Sequence, residues 1–494
     1  MAKIVILGNN CKILEEQDIS FLLQLDKHLS FYVIGAEHTQ AFKGYVGSDG
    51  KFTRWDGFKK LLNHNLTFAA GLLERVKRFY AAAGKEVEIV DKRPPKSVGE
   101  PKDVSDRLAK MGITPYDYQQ RIVDNIDGYE KGIIKLATGG GKSLIAALIT
   151  ARIGKGTIIY VVGKDLLYQF YKLFSDVFEE EIGLIGDGHC RIKNINIASV
   201  WTVGQALGMK KTDILLDDSD SEKLLGSDKY SEILKLMKAT KVHIIDECHM
   251  AACDTIQKIY KCSVPEHIYG LSGSPWRDDG ADMLIESVLG GYIMNIPATQ
   301  LIKTGHLAQP IIKFVPVPKM KCERNYKQAY RNYIVENPER NNLVLKYAQT
   351  LTQKGYRTLI LFNSIKHGKI LYDLISPHIK CALLDGSDDQ KTRNKVKKDL
   401  ENGKINCILA SRIFDIGIDI PSLSGLIVAS AGKSTVKALQ RVGRVIRRYP
   451  GKEHAAIVDF ADNTVFLKNH AEIRRKIYAS EEGFEVQWPK EERK

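Results

Sequence analysis

The chain has little of what would mark a membrane, secreted or metal-stapled protein. Its eight cysteines stand at 11, 190, 248, 253, 262, 322, 381 and 407 with no Cys-x-x-Cys pair, so neither a zinc site nor a redox dithiol is expected. They read as reduced, mostly buried thiols. No run approaches the ~18 apolar residues of a membrane span. The opening Met-Ala-Lys-Ile-Val-Ile-Leu is too short an apolar stretch for a secretion signal. The expectation is a cytoplasmic chain with no membrane contact. Acidic residues are in deficit, 59 Asp+Glu against 73 Lys+Arg for a net charge of +14. Spread positive charge favours a polyanionic partner through counterion release, although a basic but otherwise indifferent surface has the same composition. Internal repeats are absent.

What is present is ordinary globular composition, 44% hydrophobic and 27% charged over 494 residues. At roughly 100–200 residues per domain, that length implies about three domains. Residues 1–92 alternate short strand-like runs (Lys3 to Leu7, Ser30 to Ile34, Glu86 to Val90) with a helix-like stretch from Ala69 to Ala83, a small α/β module. Residues 93–104 are rich in proline and charge, as a linker should be. Beyond them, continuous apolar runs recur between helical patterns: Ile133 to Leu136, Thr157 to Val162, Ile195 to Ala198 and Val242 to Ile245, then Thr358 to Phe362, Ile405 to Leu409, Gly425 to Ala429 and Ala455 to Val458. Such strands belong to parallel sheets covered on both faces. The expected fold class is therefore α/β, two tandem parallel-sheet domains at 105–310 and 311–480, with a charged tail at 481–494. Lys211 to Glu232, with seven acidic residues against three lysines and no clean period, reads as a solvated insertion.

Three segments carry chemistry. In Leu136-Ala-Thr138-Gly139-Gly140-Gly141-Lys142-Ser143 a strand runs through a glycine turn into a helix. Glycines let backbone N–H groups approach phosphates, Lys142 supplies a point charge, and Ser143 supplies a Mg²⁺ ligand at a helix N-terminus. Leu136 stands where the generic phosphate-loop pattern has its first glycine. After the apolar strand Val242 to Ile245, Asp246 and Glu247 fall where an open parallel sheet presents ligand-binding groups. Asp246 is expected to hold Mg²⁺ through water and Glu247 to orient or deprotonate an attacking water. In Gln440-Arg441-Val-Gly443-Arg444-Val-Ile-Arg447, residues 440, 444 and 447 share one side of a helix-like segment, and their donors suit a γ-phosphate. Arg441 and Arg448 read equally well as a basic face on nucleic acid or solvent. These parts are useful jointly only if ATP sits between two halves of the chain and its hydrolysis moves them.

In that order the segments resemble the motifs of superfamily 2 helicases. Residues 137–143 resemble motif I, Asp246-Glu-Cys-His249 a DECH form of motif II, Ser272-Gly-Ser274 motif III, and 440–447 motif VI. Tyr118-Gln119 is similar to the adenine-reading element, Val161 to Gln169 to motif Ia, Leu361 to Lys366 to motif IV, and Ala410 to Pro421 to motif V. The resemblance covers about 113–460. It implies RecA-like domains, ATP and Mg²⁺, with Gln119 on the adenine edge, Gly417 and Asp419 joining the second domain to ATP, and His249, Ser272 and Ser274 coupling the nucleotide to nucleic acid. Motif III departs from the common Ser-Ala-Thr but keeps its hydroxyls.

A narrower likeness lies in Arg54-Trp55-Asp-Gly57 followed by Phe68 to Phe79, which is similar to the N-terminal domain of the phage UvsW-type helicases. It implies ATP-driven remodelling of forks, four-way junctions and single strands of DNA with 3′→5′ polarity. Separately from that resemblance, the chain is expected to act as a monomer in the host cytoplasm. Arg54, Trp55, Lys164 and Lys366 are the candidate DNA contacts. From the residues themselves, Trp55 and Phe79 with the nearby lysines could be a stacking surface or simply core under a solvated face. The basic stretches at 391–398 and 474–476 have the same two readings. Rival functions are a duplex translocase that does not separate strands, an RNA helicase, and an ATP-switched binding or annealing protein.

Overall fold

The structure is a computed structural model, and it describes residues 2–46, 52–209, 225–275, 280–319, 325–411, 420–432 and 435–489. The chain divides into two compact units. One is Met1–Lys135 with Lys142–Asn295, and the other is Ile296–Lys494 with the hexapeptide Leu136–Gly141.

The first unit opens with its own four-stranded sheet, in the order Thr67–Ala69, Asn10–Leu14, Ala2–Leu7, Val87–Asp91. The hairpin between the second and third of these turns at Gly8, at φ +62°. Val87–Asp91 returns parallel to Ala2–Leu7 after a stretch whose longer helices are Ile19–His28 and Leu73–Ala82. Asp18 caps the first helix by accepting from the Phe21 N–H at 2.9 Å. Ile4, Ile13, Phe21, Phe68, Val76 and Tyr80 form the core beneath the sheet. Phe79, half-buried, packs against the edge of that core, 5.2 Å from the Phe21 ring and stacked on His28 at 4.8 Å, so of its two readings it takes the core one.

The proline-rich segment read as a linker at 93–104 is a strap. Arg93 pairs with Asp91 and Glu130, Lys96 with Glu130, and Ser97 donates to Glu266. The Glu100 and Lys102 N–H groups donate to Gly154 O and Ala151 O at 3.0 and 2.9 Å. A Cβ at Gly154 would stand 1.9 Å from Glu100 O, so only glycine permits the approach. The small sheet is fastened as firmly. Gly71 lies flat on the backbone of Glu286, Arg75 pairs with Glu286 at 2.5 Å, and the Asn9 amide donates to Tyr260 O and Ser263 O. Tyr260 in turn donates to Asn9 O and accepts from Lys131, whose ammonium is pushed down to about 8 by burial and then by Arg93.

The remainder of the first unit carries an eight-stranded sheet, in the order His189–Arg191, Ile182–Gly186, Ile195–Ser199, Thr157–Val161, Val242–Asp246, His267–Ser272, Lys131–Leu136, Tyr292–Ile296. The pairs from Ile182–Gly186 to Lys131–Leu136 are parallel, and Thr157–Val161, Ile195–Ser199 and Val242–Asp246 are buried at every position. Their continuous apolar runs reflect cover on both faces. The acidic insertion lies mostly outside the described residues, but its end does not: the helix Ser227–Ala239 takes in 227–232.

The second unit has a seven-stranded sheet, in the order Cys381–Leu384, Cys407–Ala410, Thr358–Leu361, Gly425–Val428, His454–Ala461, Gln309–Pro316, Glu485–Gln487, each pair parallel. Val344, Leu371, Ile375 and Phe460 are among its core residues. The sheet's strand Gln309–Pro316 begins before residue 311, and Tyr292–Ile296 closes the preceding sheet. The segment read as a charged tail from 481 onward supplies the edge strand Glu485–Gln487, and Trp488 then packs on Phe314 at 4.6 Å. Apolar contact decides there, and the charge count of the last residues hides it.

Candidate nucleotide and nucleic-acid site

The strand Lys131–Leu136 delivers the chain to the helix Lys142–Ile153 through the glycine turn. Gly139 and Gly141 hold φ of +90° and +84°, the left-handed region that glycine adopts without strain. Gly140 N–H donates to Ala137 O at 3.0 Å, and a Cβ there would strike the Leu136 side chain at 2.8 Å. Leu136 is fully buried beneath the turn, which is how a leucine serves where the generic pattern has glycine.

Across the sheet, Lys142 Nζ lies 2.6 Å from Glu247 Oε1. Glu247 follows the strand Val242–Asp246 in the left-handed backbone region, φ +51°, a strain that a non-glycine residue holds only where its surroundings enforce it. Its other oxygen accepts from Ser272 Oγ at 3.2 Å and lies 3.4 Å from His249 Nδ1. Ser272 Oγ accepts the Ser274 N–H at 3.1 Å. Lys142, Glu247, His249, Ser272 and Ser274 therefore form one connected group. Burial alone would raise the Glu247 carboxyl, but the Lys142 ammonium and then His249 outweigh it and hold it well below the usual carboxylate range. Burial would likewise lower Lys142, and Glu247 with Asp246 reverses the sign. Asp246, 4% exposed, is raised to about 6, chiefly by burial, and its Oδ1 has no hydrogen-bond partner among the described residues.

The hexapeptide Leu136–Gly141 packs within the second unit. A Cβ on Gly443 would fall 2.3 Å from the Thr138 Cβ, and one on Gly139 would fall 3.2 Å from the Arg447 Cγ. Gly443 and Arg444 lie on the helix Thr435–Val445. The expected single helical face for 440, 444 and 447 needs correction, because the helix stops at Val445 and Arg447 forms a β-bridge with Leu307. Its position is set by that bridge and not by helical spacing. Arg444 and Arg447 are half-buried and Arg441 is buried. Gln440 has helical backbone, but its side chain lies outside the described residues, as do Gly417, Asp419 and 276–279.

The sequence comparisons fall on these same segments. Residues 112–277 match the family model described as "Type III restriction enzyme, res subunit", and 339–449 match "Helicase conserved C-terminal domain". The ATP-dependent DNA helicase uvsW of Enterobacteria phage T4 is 27% identical over 455 residues, 86% of this chain and 85% of that one. The DNA 3'-5' translocase XPB2 of Sulfurisphaera tokodaii is 22% identical over 382 residues, 69% and 80%. The chain is a superfamily 2 DNA helicase. As such it is an ATP hydrolase that binds nucleic acid, and helicases of this kind use ATP, usually with Mg²⁺. The fold of S. cerevisiae Dbp5 bound to RNA and ADP BeF3 matches it with a TM-score of 0.52 at 13% identity, covering 78% of this chain and 92% of that one, a likeness of tandem RecA-like fold alone. No helix among the described residues is long and apolar enough to cross a membrane.

The remaining site candidates of the helicase are engaged locally. Gln119 is buried, and its Oε1 accepts the Tyr116 N–H at 2.9 Å in a capping box that opens the helix Asp117–Asn125. Lys164 pairs with Asp187 at 2.9 Å and Lys366 with Glu336. Arg54 donates to Phe42 O at 3.1 Å and lies over the Phe42 ring, while Trp55 Nε1 donates to Phe58 O at 2.8 Å. Arg54 is exposed and Trp55 half-buried, and the rings of Tyr32, Tyr45, Phe52 and Phe58 in the same module are exposed. Asn363, inside the segment quoted for motif IV, donates to Ser430 O. Nothing in the local pattern marks it, because its partner is 67 residues away.

Proposed function

We propose that the helicase remodels branched DNA, regressing forks and migrating four-way junctions, with 3′→5′ polarity. The observation that carries its engine is the Lys142, Glu247 and Ser272 group beside an oxygen of Asp246 that has no hydrogen-bond partner among the described residues. A buried carboxylate oxygen without a donor costs about 1–3 kcal/mol or more, a cost that a hydrated divalent cation would remove. The residues present fit Mg²⁺ in that sense, with Ser143 and Asp246 as its holders, Asp246 through water. When bound, the ion would supply charge neutralisation at the phosphates.

In this reading Thr138, Gly139, Gly140 and Gly141 wrap the phosphates with backbone N–H groups. Lys142 leaves Glu247 for the β- and γ-oxygens, and the freed Glu247 orients the attacking water and takes its proton. Arg444 and Arg447, with Gln440, stabilise charge on the γ-phosphate. The packing of Thr138 and Gly139 on Gly443 and Arg447 supports this assignment. Gln119, Gly417 and Asp419 complete the nucleotide site, and Ser272, Ser274 and His249 relay the state of Glu247. Lys164 and Lys366 contact phosphates, which positions a strand without reading its sequence. Arg54 and Trp55 meet the DNA from the first module, which carries several exposed aromatic rings. We assign its action to the cytoplasm, as a monomer.

Support for branched DNA comes from the resemblance to UvsW-type helicases, and support for polarity from the 3'-5' translocase relative. The word translocase in that relative's name also favours a second reading, movement on duplexes without strand separation. One experiment separates them: ATP turnover and strand rearrangement on single strands, duplex, fork and four-way junction at one salt concentration. Junction rearrangement with Lys142→Ala inactive and still DNA-bound is the expected result. Normal unwinding by Lys142→Ala overturns the motor, and turnover on duplex without any rearrangement favours the second reading.

A further inference from the structure

Two arginines in the second unit are entirely inside it. Arg340, on the helix Pro338–Gln353, is 0% exposed, and Arg474, on the helix Val465–Ala479, is 1% exposed. Each is neutralised by its own carboxylate. Arg340 Nε donates to Asp462 Oδ1 at 2.8 Å, and Arg474 grips Asp459 with Nε at 2.9 Å and Nη2 at 2.7 Å. Buried ion pairs seldom outperform well-packed apolar side chains of the same volume, because desolvation of two charges offsets most of their attraction. Stability alone therefore gives little reason for two of them. What apolar replacements could not do is use the remaining guanidinium donor, and both arginines spend it on the same short segment, 429–432.

Arg340 Nη1 donates to Ala429 O at 2.9 Å, and Arg474 Nη1 donates to Gly432 O at 2.6 Å. Between these points Tyr330 OH and Asn363 Nδ2 both donate to Ser430 O, at 3.1 and 3.3 Å. The segment leaves the strand Gly425–Val428 and precedes the helix Thr435–Val445, which carries Arg444. Within it Ala431 holds φ +53° and is 1% exposed, packed with Ile334 and Leu467. A left-handed alanine is strained and persists only where its surroundings over-determine it. Four side chains from four separate places in the chain supply that determination.

We infer that Arg340 and Arg474, assisted by Tyr330 and Asn363, are positioning residues for ATP hydrolysis: by fixing 429–432 they fix where the helix bearing Arg444 begins. The inference rests on the reading of Arg444 as a γ-phosphate ligand. Displacement of a catalytic group by about 1 Å costs on the order of 10²-fold in rate, so a loosened segment reduces turnover without preventing nucleotide binding.

The test compares R340M/D462N, which removes the donor without stranding a carboxylate, with Tyr330→Phe/Asn363→Ala, which frees Ser430 O alone. Arg444→Ala is the reference. For each full-length variant, kcat and KM for DNA-stimulated ATP turnover, the Kd of a fluorescent ATP analogue and the unfolding midpoint are measured. The expected result is a kcat lowered about 10²-fold in R340M/D462N. A smaller loss in the same direction is expected in Tyr330→Phe/Asn363→Ala, with analogue Kd within about threefold of the parent in both. A folded R340M/D462N with parental kcat, while Arg444→Ala is inactive, overturns the positioning role alone. Should R340M/D462N lose its cooperative unfolding transition, parental kcat in Tyr330→Phe/Asn363→Ala overturns it instead. Parental turnover by Arg444→Ala overturns the γ-phosphate reading and this inference with it.

Discussion

Lys142 with Glu247 in the first unit and Arg474 with Asp459 in the second are both inward-facing ion pairs close to the end of a parallel strand, yet they are built to opposite ends. Lys142 and Glu247 keep 13% and 19% of their side-chain surface, enough for a ligand to reach, whereas Arg474 and Asp459 keep 2% and 0%. Beside the first pair Asp246 has an oxygen with no donor among the described residues, and Glu247 sits on strained backbone. Around the second, Arg474 donates through Nε, Nη1 and Nη2, and Asp459 also accepts from Tyr478. An ion pair with valence left over is prepared for something to arrive, and one whose valence is spent is a fastener. The comparison separates the two roles by satisfaction of hydrogen bonds, with burial as the accompanying difference.

That contrast can be broken from either side. The largest effect is expected at the proposed base. Glu247→Gln lowers ATP turnover by about 10²–10⁴-fold, the usual worth of a positioned general base. Its unfolding free energy stays within about 1 kcal/mol of the parent, because the site is strained and partly open. Steady-state turnover and denaturant melts read both, and a Glu247→Gln protein that melts early but turns over normally reverses the assignment. Arg474→Met is next. It leaves Asp459 charged in the interior without its cation, which costs about 3–5 kcal/mol of stability in chemical denaturation. A loss below 1 kcal/mol means the pair is no fastener. The smallest effect belongs to an exposed pair, Lys366 with Glu336, where Lys366 keeps 59% of its side-chain surface. Lys366→Ala changes stability by less than about 1 kcal/mol, and if Lys366 meets a phosphate it reduces the salt slope of DNA binding by about one. An unchanged slope removes Lys366 from the interface.

Much of the chemistry is legible in short stretches. The glycine turn before Lys142, the carboxylates after an apolar strand and the hydroxyls of Ser272 and Ser274 announce themselves because each needs only its neighbours in sequence to be recognised. The strands on which they sit are legible for the same reason, since parallel strands covered on both faces must be continuously apolar. Arg447 is where this reasoning fails: spacing places it on a helix, but the chain leaves the helix at Val445 to pair with Leu307. The strap at 93–102 and the edge strand Glu485–Gln487 fail in the same way, since composition reports solvation and says nothing about which backbone groups a segment will meet.

By itself the sequence determined the order of the candidate phosphate, metal and acid–base residues along the chain, and the α/β class that holds them. Tertiary structure alone decided that Lys142 meets Glu247 across 105 residues, and that Arg340 and Arg474 reach carbonyls 89 and 42 residues away. Local patterning records only whether a side chain faces inward. Which groups it meets there depends on strand order and on the satisfaction of every buried donor and acceptor, and those are properties of the folded chain as a whole.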